Sequence, residues 1–226
     1  MGRAGGGPAL TKRLVDIVLS ALALVVLAPL FATVAVLIKL NSPGPVFFRS
    51  PRVGRGYRLF APFKFRTMVV NAPALSRVVS TPADDPRITR IGRIVRQFNL
   101  DELPLFINVL KGEMSIVGPR PEVPQYVAMF TEEQRAILST RPGITDWATL
   151  WIRDKGELLA GTDDPEQVYV EHIRPEKLRL QLEYVRRRTI WIDFIIMAKT
   201  FKTHLLDRFG SRQDLGSKAH RAVGRG

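Results

Sequence analysis

The stretch DIVLSALALVVLAPLFATVAVLIK, from Asp16 to Lys39, decides how this chain is built. The 22 residues from Ile17 to Ile38 carry no charge, and as one straight helix they would reach about 33 Å, roughly the hydrocarbon thickness of a bilayer. Buried helices of soluble domains rarely hold so long an unbroken apolar run, and the apolar region of a cleaved signal is usually only about 7 to 15 residues. The run therefore reads as a membrane segment. Pro29, near its middle, removes a backbone donor and clashes with the preceding turn, so a kink or break is predicted there. Arg3, Lys12 and Arg13 precede the run, and Lys39, Arg49 and Arg52 follow it. That tie favours a segment that dips into one leaflet, turns at Pro29 and returns, over one that crosses. Both geometries stay open at this point. Thr33, four residues beyond Pro29, is a candidate partner for backbone groups freed by the break.

Outward from this segment, the composition is that of one ordinary globular domain: 226 residues, 46% hydrophobic, 24% charged, with no cysteine. Disorder, collagen-like repeats, disulfide scaffolds, cysteine-rich zinc sites and a cysteine nucleophile are all excluded. The formal net charge is +13, and +9 of it falls within residues 1–70. A basic arm of this kind attracts nucleic acid, anionic lipid or a phosphorylated substrate.

Asn41 to Pro45 is a turn cluster that ends the membrane segment, and two aromatic-rich runs around Gly54-Arg55-Gly56 predict a β-hairpin with a basic rim. Asn71 to Pro86 reads as a loop. From Ile88 a helical stripe runs through Ile91, Val95 and Phe98, with Arg90, Arg93 and Arg96 on a neighbouring face. A short helix follows from about Leu103 to Lys111 and stops at Gly112. Thr131 to Ser139 reads as a surface helix begun by a threonine cap, and Arg141-Pro142-Gly143 as a turn. Trp147, Leu150, Trp151 and Ile152 suggest buried or interfacial packing ahead of a polar loop with Gly156 and Gly161. Two helices close the domain, near Arg174–Arg187 and Thr189–Leu206. In the second, Ile190, Phe194, Met197, Phe201 and Leu205 share one face while Ile192 and Ile196 fall opposite, which suits a core helix or a membrane-surface helix equally.

Asp101 and Glu102 are adjacent carboxylates set among arginines. Asn99 and Glu102 have capping-box spacing, and acids in a first turn complement the helix dipole, so a purely structural role is open. The same placement suits a carboxylate kept ionised for nucleophilic attack or metal binding. Arg90, Arg93, Arg96 and Arg120 are candidates for an anion site or for a solvated basic face. Lys64 and Arg66 point to one side of a predicted strand, placed to meet phosphate or to flank the bilayer. His172, His204 and His220 lack metal spacing, and no P-loop, dinucleotide fingerprint or nucleophile elbow is present.

Read together, the Pro-centred apolar segment, SPGPVFF from Ser42, KFRTM from Lys64, DPRITRIGRIVR from Asp85, LDELPLFINVLKGEMSIVGPRP from Leu100, RPGIT from Arg141 and the last Trp/Asp-containing helix resemble the bacterial sugar transferases, the monotopic polyprenyl-phosphate phosphoglycosyltransferases. The resemblance covers nearly all of the chain from about Lys12 to Leu206. It implies transfer of a phosphosugar from a UDP-sugar to polyprenol phosphate, with release of UMP. By that likeness Asp101 attacks the β-phosphorus and Glu102 helps hold Mg²⁺. Arg96 and Arg120, with Lys64 as a weaker candidate, are the implied phosphate contacts. Two positions depart from the family pattern: Ala28 stands before Pro29 where many members have Ser, and Asp146 stands before Trp147 where many have Gly.

The expected architecture is a mostly helical α+β fold: a basic tail at 1–12, a Pro-kinked re-entrant membrane helix at 13–40, a cytoplasmic catalytic domain at 41–207 with one small β-hairpin and interfacial helices, and a basic, disordered tail at 208–226. Implied partners are the UDP-sugar, polyprenol phosphate and membrane lipid, with no nucleic acid and a homodimer allowed. The implied location is the cytoplasmic face of a bacterial inner membrane, in a surface-glycan pathway. The competing reading is a membrane-tethered basic adaptor that binds anionic lipid or nucleic acid without turnover.

Overall fold

The computed structural model describes residues 6–72, 85–153 and 165–205. Most of the loop read at Asn71–Pro86, the loop with Gly156 and Gly161, and the 208–226 tail lie outside these residues. The apolar run forms two helices, α1 (Gly6–Val26) and α2 (Ala28–Asn41), which break at Leu27. Pro29 falls in the first turn of α2, where its missing N–H costs that helix nothing. The Thr33 hydroxyl donates to the Pro29 carbonyl at 2.9 Å. Among the described residues no single helix is long and apolar enough to cross a membrane; Ala9–Val26 and Ala28–Asn41 meet that test only together, bent by 61°.

The first turns of α1 are docked rather than free. Lys12 Nζ donates to the Val117 carbonyl at 3.0 Å and to Asp193 at 2.6 Å, while Arg13 donates to the carbonyls of Val109 and Leu110. Asp16 is 4% exposed and accepts the Ile116 N–H at 3.0 Å. Further along, Val18, Leu22, Val25 and Val26 lie exposed, so α1 is tied to the domain at one end and bare and apolar at the other.

The predicted hairpin is present, and doubled. Strands β2 (Arg52–Val53) and β3 (Leu59–Phe60) pair antiparallel around the turn at Arg55–Tyr57, and outside them β1 (Phe47–Phe48) pairs with β4 (Lys64–Phe65), Phe47 opposite Phe65. Arg66, placed by strand alternation beside Lys64, is only 5% exposed and donates to the carbonyls of Ser42, Pro43 and Pro45. Its guanidinium holds the turn after α2, the fork geometry reaching three acceptors at once.

Helix α3 (Arg90–Gln97) starts two residues later than the stripe from Ile88 predicts, because the Thr89 hydroxyl caps it by accepting the Gly92 N–H at 2.9 Å, and Ile88 bridges to Met68 instead. A turn at Leu100–Glu102 leads into α4 (Leu105–Leu110). Strand β5 (Ser115–Val117) then runs parallel to β6 (Gly143–Thr145), a pair whose spacing gave no sequence signal. Gly118 and Gly143 allow it: a Cβ on Gly143 would stand 2.1 Å from the Gly118 nitrogen. The Arg141-Pro142-Gly143 turn thus runs straight into a strand.

Between them, α5 (Pro124–Val127) precedes the stretch read as a surface helix, which is a 3₁₀ helix over Gln134–Ser139. Thr131 and Gln134 cap one another reciprocally, Thr131 N–H to Gln134 Oε1 at 3.0 Å and Gln134 N–H to Thr131 Oγ1 at 3.3 Å. The chain closes with α6 (Trp147–Arg153), α7 (Pro165–Val168), a π-helical turn at Tyr169–Ile173, α8 (Arg174–Arg187) and α9 (Ile190–Leu205). In α9 the inward side is the one the sequence treats as minor. Ile196 is fully buried and Asp193 nearly so, whereas Trp191, Phe194 and Phe201 are 72%, 43% and 67% exposed.

Three apolar clusters hold these elements. Val34 and Ile38 of α2 pack on Phe65 and Val95; Leu105, Val109 and Met114 pack on Ile116, Tyr184 and Ile196; Val53 and Phe130 pack with Leu178 and Leu182. The architecture is α+β and mostly helical, with small sheets.

Candidate functional site

The Leu100–Glu102 turn sits where α3, β4 and the segment after β5 converge. Asn99 holds a left-handed backbone (φ 50°) and makes no side-chain cap, so the capping box allowed by its spacing to Glu102 does not form. Glu102 points elsewhere. Its Oε1 accepts from Lys64 Nζ at 2.7 Å and from Arg120 Nη2. Asp101, next to it, makes no ion pair among the described residues and lines the same cleft.

Each cation at this site is set by a local device. Asn108, fully buried, accepts the Phe63 N–H at 2.8 Å and donates to Glu113 at 2.7 Å, fixing the strand that carries Lys64. Arg96 Nε donates to Thr67 Oγ1 at 2.8 Å. Arg120 is gripped from two sides: Nη1 donates to the Ile144 carbonyl at 2.7 Å and its backbone N–H to Asp146 Oδ2 at 3.1 Å. Asp146, with no exposed surface, also accepts from Gln181 at 2.9 Å and from the Thr149 N–H and hydroxyl, both at 2.6 Å. Asp146 thus caps α6 and holds Arg120 in one step.

The electrostatics separate the two acids. For Glu102, burial pushes the carboxyl up, but the fields of Arg120 and Lys64 and their hydrogen bonds outweigh it and hold the group well below the usual carboxylate range. For Asp101 burial dominates, the Glu102 charge adds to it, and Lys64 and Arg96 oppose only in part, so its carboxyl is raised. The positive field therefore acts chiefly on Glu102, and Asp101 is the more basic and less restrained partner.

Two clefts of about 620 Å³ each meet at this point. The first runs from Asp101 past Glu102 and Arg120 to Glu122, Tyr169 and Lys177. The second passes Phe47, Phe48, Met68 and Val70 on one side and Arg66 and Arg87 on the other, near the end of the bent helix pair. Arg52, Lys64, Arg96 and Asp101 border both. Of the four arginines considered as an anion site, Arg96 and Arg120 line the first cleft, whereas Arg90 and Arg93 lie exposed on α3. Arg52 belongs at the site although its sequence context, a basic hairpin rim, marked it only as one more positive charge. Pro29 is remote in role, shaping the helix break.

A mostly helical domain with a bent apolar helix pair and adjacent carboxylates where two clefts meet is the arrangement that comparison with known families identifies. The family described as bacterial sugar transferase matches residues 8–207, and the chain belongs to that family. It is 42% identical over 207 residues to an undecaprenyl-phosphate glucose phosphotransferase of Komagataeibacter xylinus, covering 88% of this chain and 36% of that protein. It is 38% identical over 209 residues to a UDP-N-acetylgalactosamine-undecaprenyl-phosphate N-acetylgalactosaminephosphotransferase of Aeromonas hydrophila, covering 90% of this chain and 45% of that protein. To the exopolysaccharide production protein ExoY of Sinorhizobium fredii it is 32% identical over 213 residues, covering 88% and 87% of the two chains. The chain thus spans less than half the length of the first two relatives and most of the third.

Proposed function

We propose that this protein transfers a phosphosugar from a UDP-sugar to polyprenol phosphate, releasing UMP, as the first membrane step of a bacterial surface-glycan pathway. The observation that carries the reading is the position of Asp101, a raised carboxylate with no ion pair among the described residues, at the junction of two clefts of which one is bordered by Phe47, Phe48, Met68 and Val70. An Asp101 oxygen attacks the β-phosphorus, the bond from that phosphorus to the bridging oxygen breaks, and UMP leaves through the first cleft. The aspartyl-phosphosugar keeps the group activated. An oxygen of polyprenol phosphate, its chain along the Phe47, Phe48 and Val70 side of the second cleft, then attacks the same phosphorus and frees the Asp101 carboxylate. Arg96, Arg120 and Lys64 offset the repulsion between an anionic nucleophile and an anionic diphosphate.

Mg²⁺ fits the donor set. Two adjacent carboxylates are what this ion takes when substrate phosphates complete its shell, and no larger acidic group is found among the described residues. Glu102 would hold it, one oxygen already fixed by Arg120 and Lys64. When bound, Mg²⁺ supplies charge neutralisation at the diphosphate.

The deciding experiment is UMP release from UDP-glucose and UDP-N-acetylgalactosamine, with Mg²⁺, in the presence and absence of polyprenol phosphate. Multiple turnover that requires the lipid supports the reading. Salt-sensitive lipid binding with no release from any donor favours the adaptor.

The pH dependence has a defined sign. Asp101 attacks as the anion and its carboxyl is raised, so the acid limb of the single-turnover UMP burst lies above the usual carboxylate range. Lys64 is among the groups that lower it, so Lys64→Met moves that limb to higher pH. A limb that stays in place removes Asp101 as its source.

The bent helix pair is assigned to the cytoplasmic leaflet of the inner membrane as a re-entrant element, with the rest of the domain on the cytoplasmic side. Because the chain has no cysteine, single Leu10→Cys and Ser42→Cys forms report each end separately. Both are expected to react with an impermeant thiol reagent only after the inner membrane is opened. Reaction of Leu10→Cys from the periplasm would make the pair a span.

A further inference from the structure

The end of the first cleft away from Asp101 sets a buried acid among cations and a phenol, with Arg52 near enough to feel the Glu122 charge. Glu122 and Lys177 are 7% and 8% exposed and form an ion pair. Lys177 Nζ also donates to the Tyr169 hydroxyl at 2.9 Å, and that hydroxyl donates to Glu122 Oε1 at 3.4 Å. All three line the cleft, with Tyr126 beside them. A buried ion pair adds little stability that well-packed apolar residues would not supply, so its place in the wall of a cleft asks for another role.

The unused hydrogen-bonding capacity indicates which role. Both contacts to Glu122 fall on Oε1; Oε2 accepts no hydrogen bond among the described residues and is not sealed among the buried unsatisfied atoms. Lys177 carries three protons and uses two. A free carboxylate oxygen beside a spare ammonium proton and a phenol complements vicinal hydroxyls, which donate and accept at neighbouring carbons. The rings of Tyr126 and Tyr169, 5.6 Å apart, add an apolar flank for ring C–H groups. Tyr169 opens the π-helical turn Tyr169–Ile173, a rare form that recurs at functional sites. Glu122 is set beside Lys177 and Arg52, so the wall offers both an acceptor and donors to a neutral ligand. Arg120, facing Glu102, is two residues from Glu122 in a proline-flanked segment, about 6 to 7 Å along an extended chain.

We infer that Glu122, Tyr169 and Lys177 form a subsite for the vicinal hydroxyls of the donor, beside the end that faces its phosphates. The inference rests on the donor reading above. The shared chemistry is a diol, carried by the hexose and by the ribose alike.

The test compares UDP-glucose, donors singly deoxygenated at C2, C3 or C4 of the hexose, and a 2′-deoxyuridine donor, by calorimetric binding and by UMP release, on the full chain in lipid. Tyr169→Phe keeps the ring and removes only the hydroxyl; Glu122→Gln keeps the shape and removes the charge. The Kd and KM of UDP-glucose are expected to rise about 3- to 10-fold in Tyr169→Phe, the range of one net hydrogen bond, with kcat within about twofold. That loss should vanish for the donor lacking the hydroxyl concerned. Vanishing with a deoxyhexose assigns the subsite to the sugar, and vanishing with the deoxyuridine donor assigns it to the ribose. If both variants weaken every donor equally, or weaken none while the unmodified chain turns over, the subsite is overturned and the donor reading stands. A chain that binds neither UDP-glucose nor UDP-N-acetylgalactosamine overturns the donor reading and this inference with it.

Discussion

Asp101→Asn is expected to release UMP on the order of 10⁴-fold more slowly, or not measurably, while the protein becomes no less stable. The first half follows from chemistry: an amide is no nucleophile toward phosphorus, and removing the atom that forms the covalent intermediate leaves only binding and electrostatics. The second half follows from the environment. Burial raises the Asp101 carboxyl above its unfolded value, so its ionised form destabilises the native state. That cost is present at neutral pH, shrinks as pH falls through the folded value, and is gone below the unfolded one. A neutral isostere should therefore raise Tm at neutral pH and lose that advantage on acidification. A structural cap predicts the reverse, since losing a first-turn acid weakens a helix. UMP release and thermal unfolding of one variant therefore separate nucleophile from cap. Asp101→Asn with near-normal release, or with a lowered Tm, would end the proposed mechanism.

That separation bears on what the residues alone convey. Local rules located the elements well, because each is marked by its own neighbours: the break near Pro29, the turn around Gly54-Arg55-Gly56, the stop at Gly112, the Thr131 cap and the two closing helices all stand close to their predicted places. The parallel β5–β6 pair was silent because parallel pairing joins distant residues, Ser115 to Gly143 and Val117 to Thr145, and strands of three residues carry no readable alternation. In α9 the apolar residues are spread over more than half the circumference. Periodicity therefore could not tell which side meets Asp193 and Tyr184 and which leaves Trp191 and Phe201 exposed.

At the site, residue types were legible and assignments were not. Spacing allowed Asn99 and Glu102 to cap a helix, but a left-handed Asn99 turns the backbone away, and two cations from distant segments claim the carboxylate. The arginines at 90, 93 and 96 looked alike. Helical geometry then pointed one into the cleft and left two exposed. Arg66 looked like Lys64 and became a backbone clamp. Thr67, Asn108 and Gln181 carried no local signal, since each acts through a partner far along the chain.

Arg120→Lys is expected to cost about 10² to 10³ in kcat, the scale of removing one preorganised charge-stabilising donor. The guanidinium spans two acceptors at once, the Glu102 carboxylate and the Ile144 carbonyl. A lysine ammonium is a single point on a flexible stem, able to serve one of them well or neither. Arg120 is also the strongest of the groups that depress Glu102. With it loosened, the Glu102 carboxyl rises toward its ordinary range and a second acid limb enters the pH profile. Asp146 fixes the Arg120 backbone and its field favours the guanidinium, but it is not among the groups that depress Glu102, so Asp146→Asn should lower kcat by less and leave that limb where it is. The two variants differ in where Glu102 titrates. An Arg120→Lys form with unaltered kcat and an unaltered pH profile would show that the cation at this position holds the fold together and takes no part in the transfer.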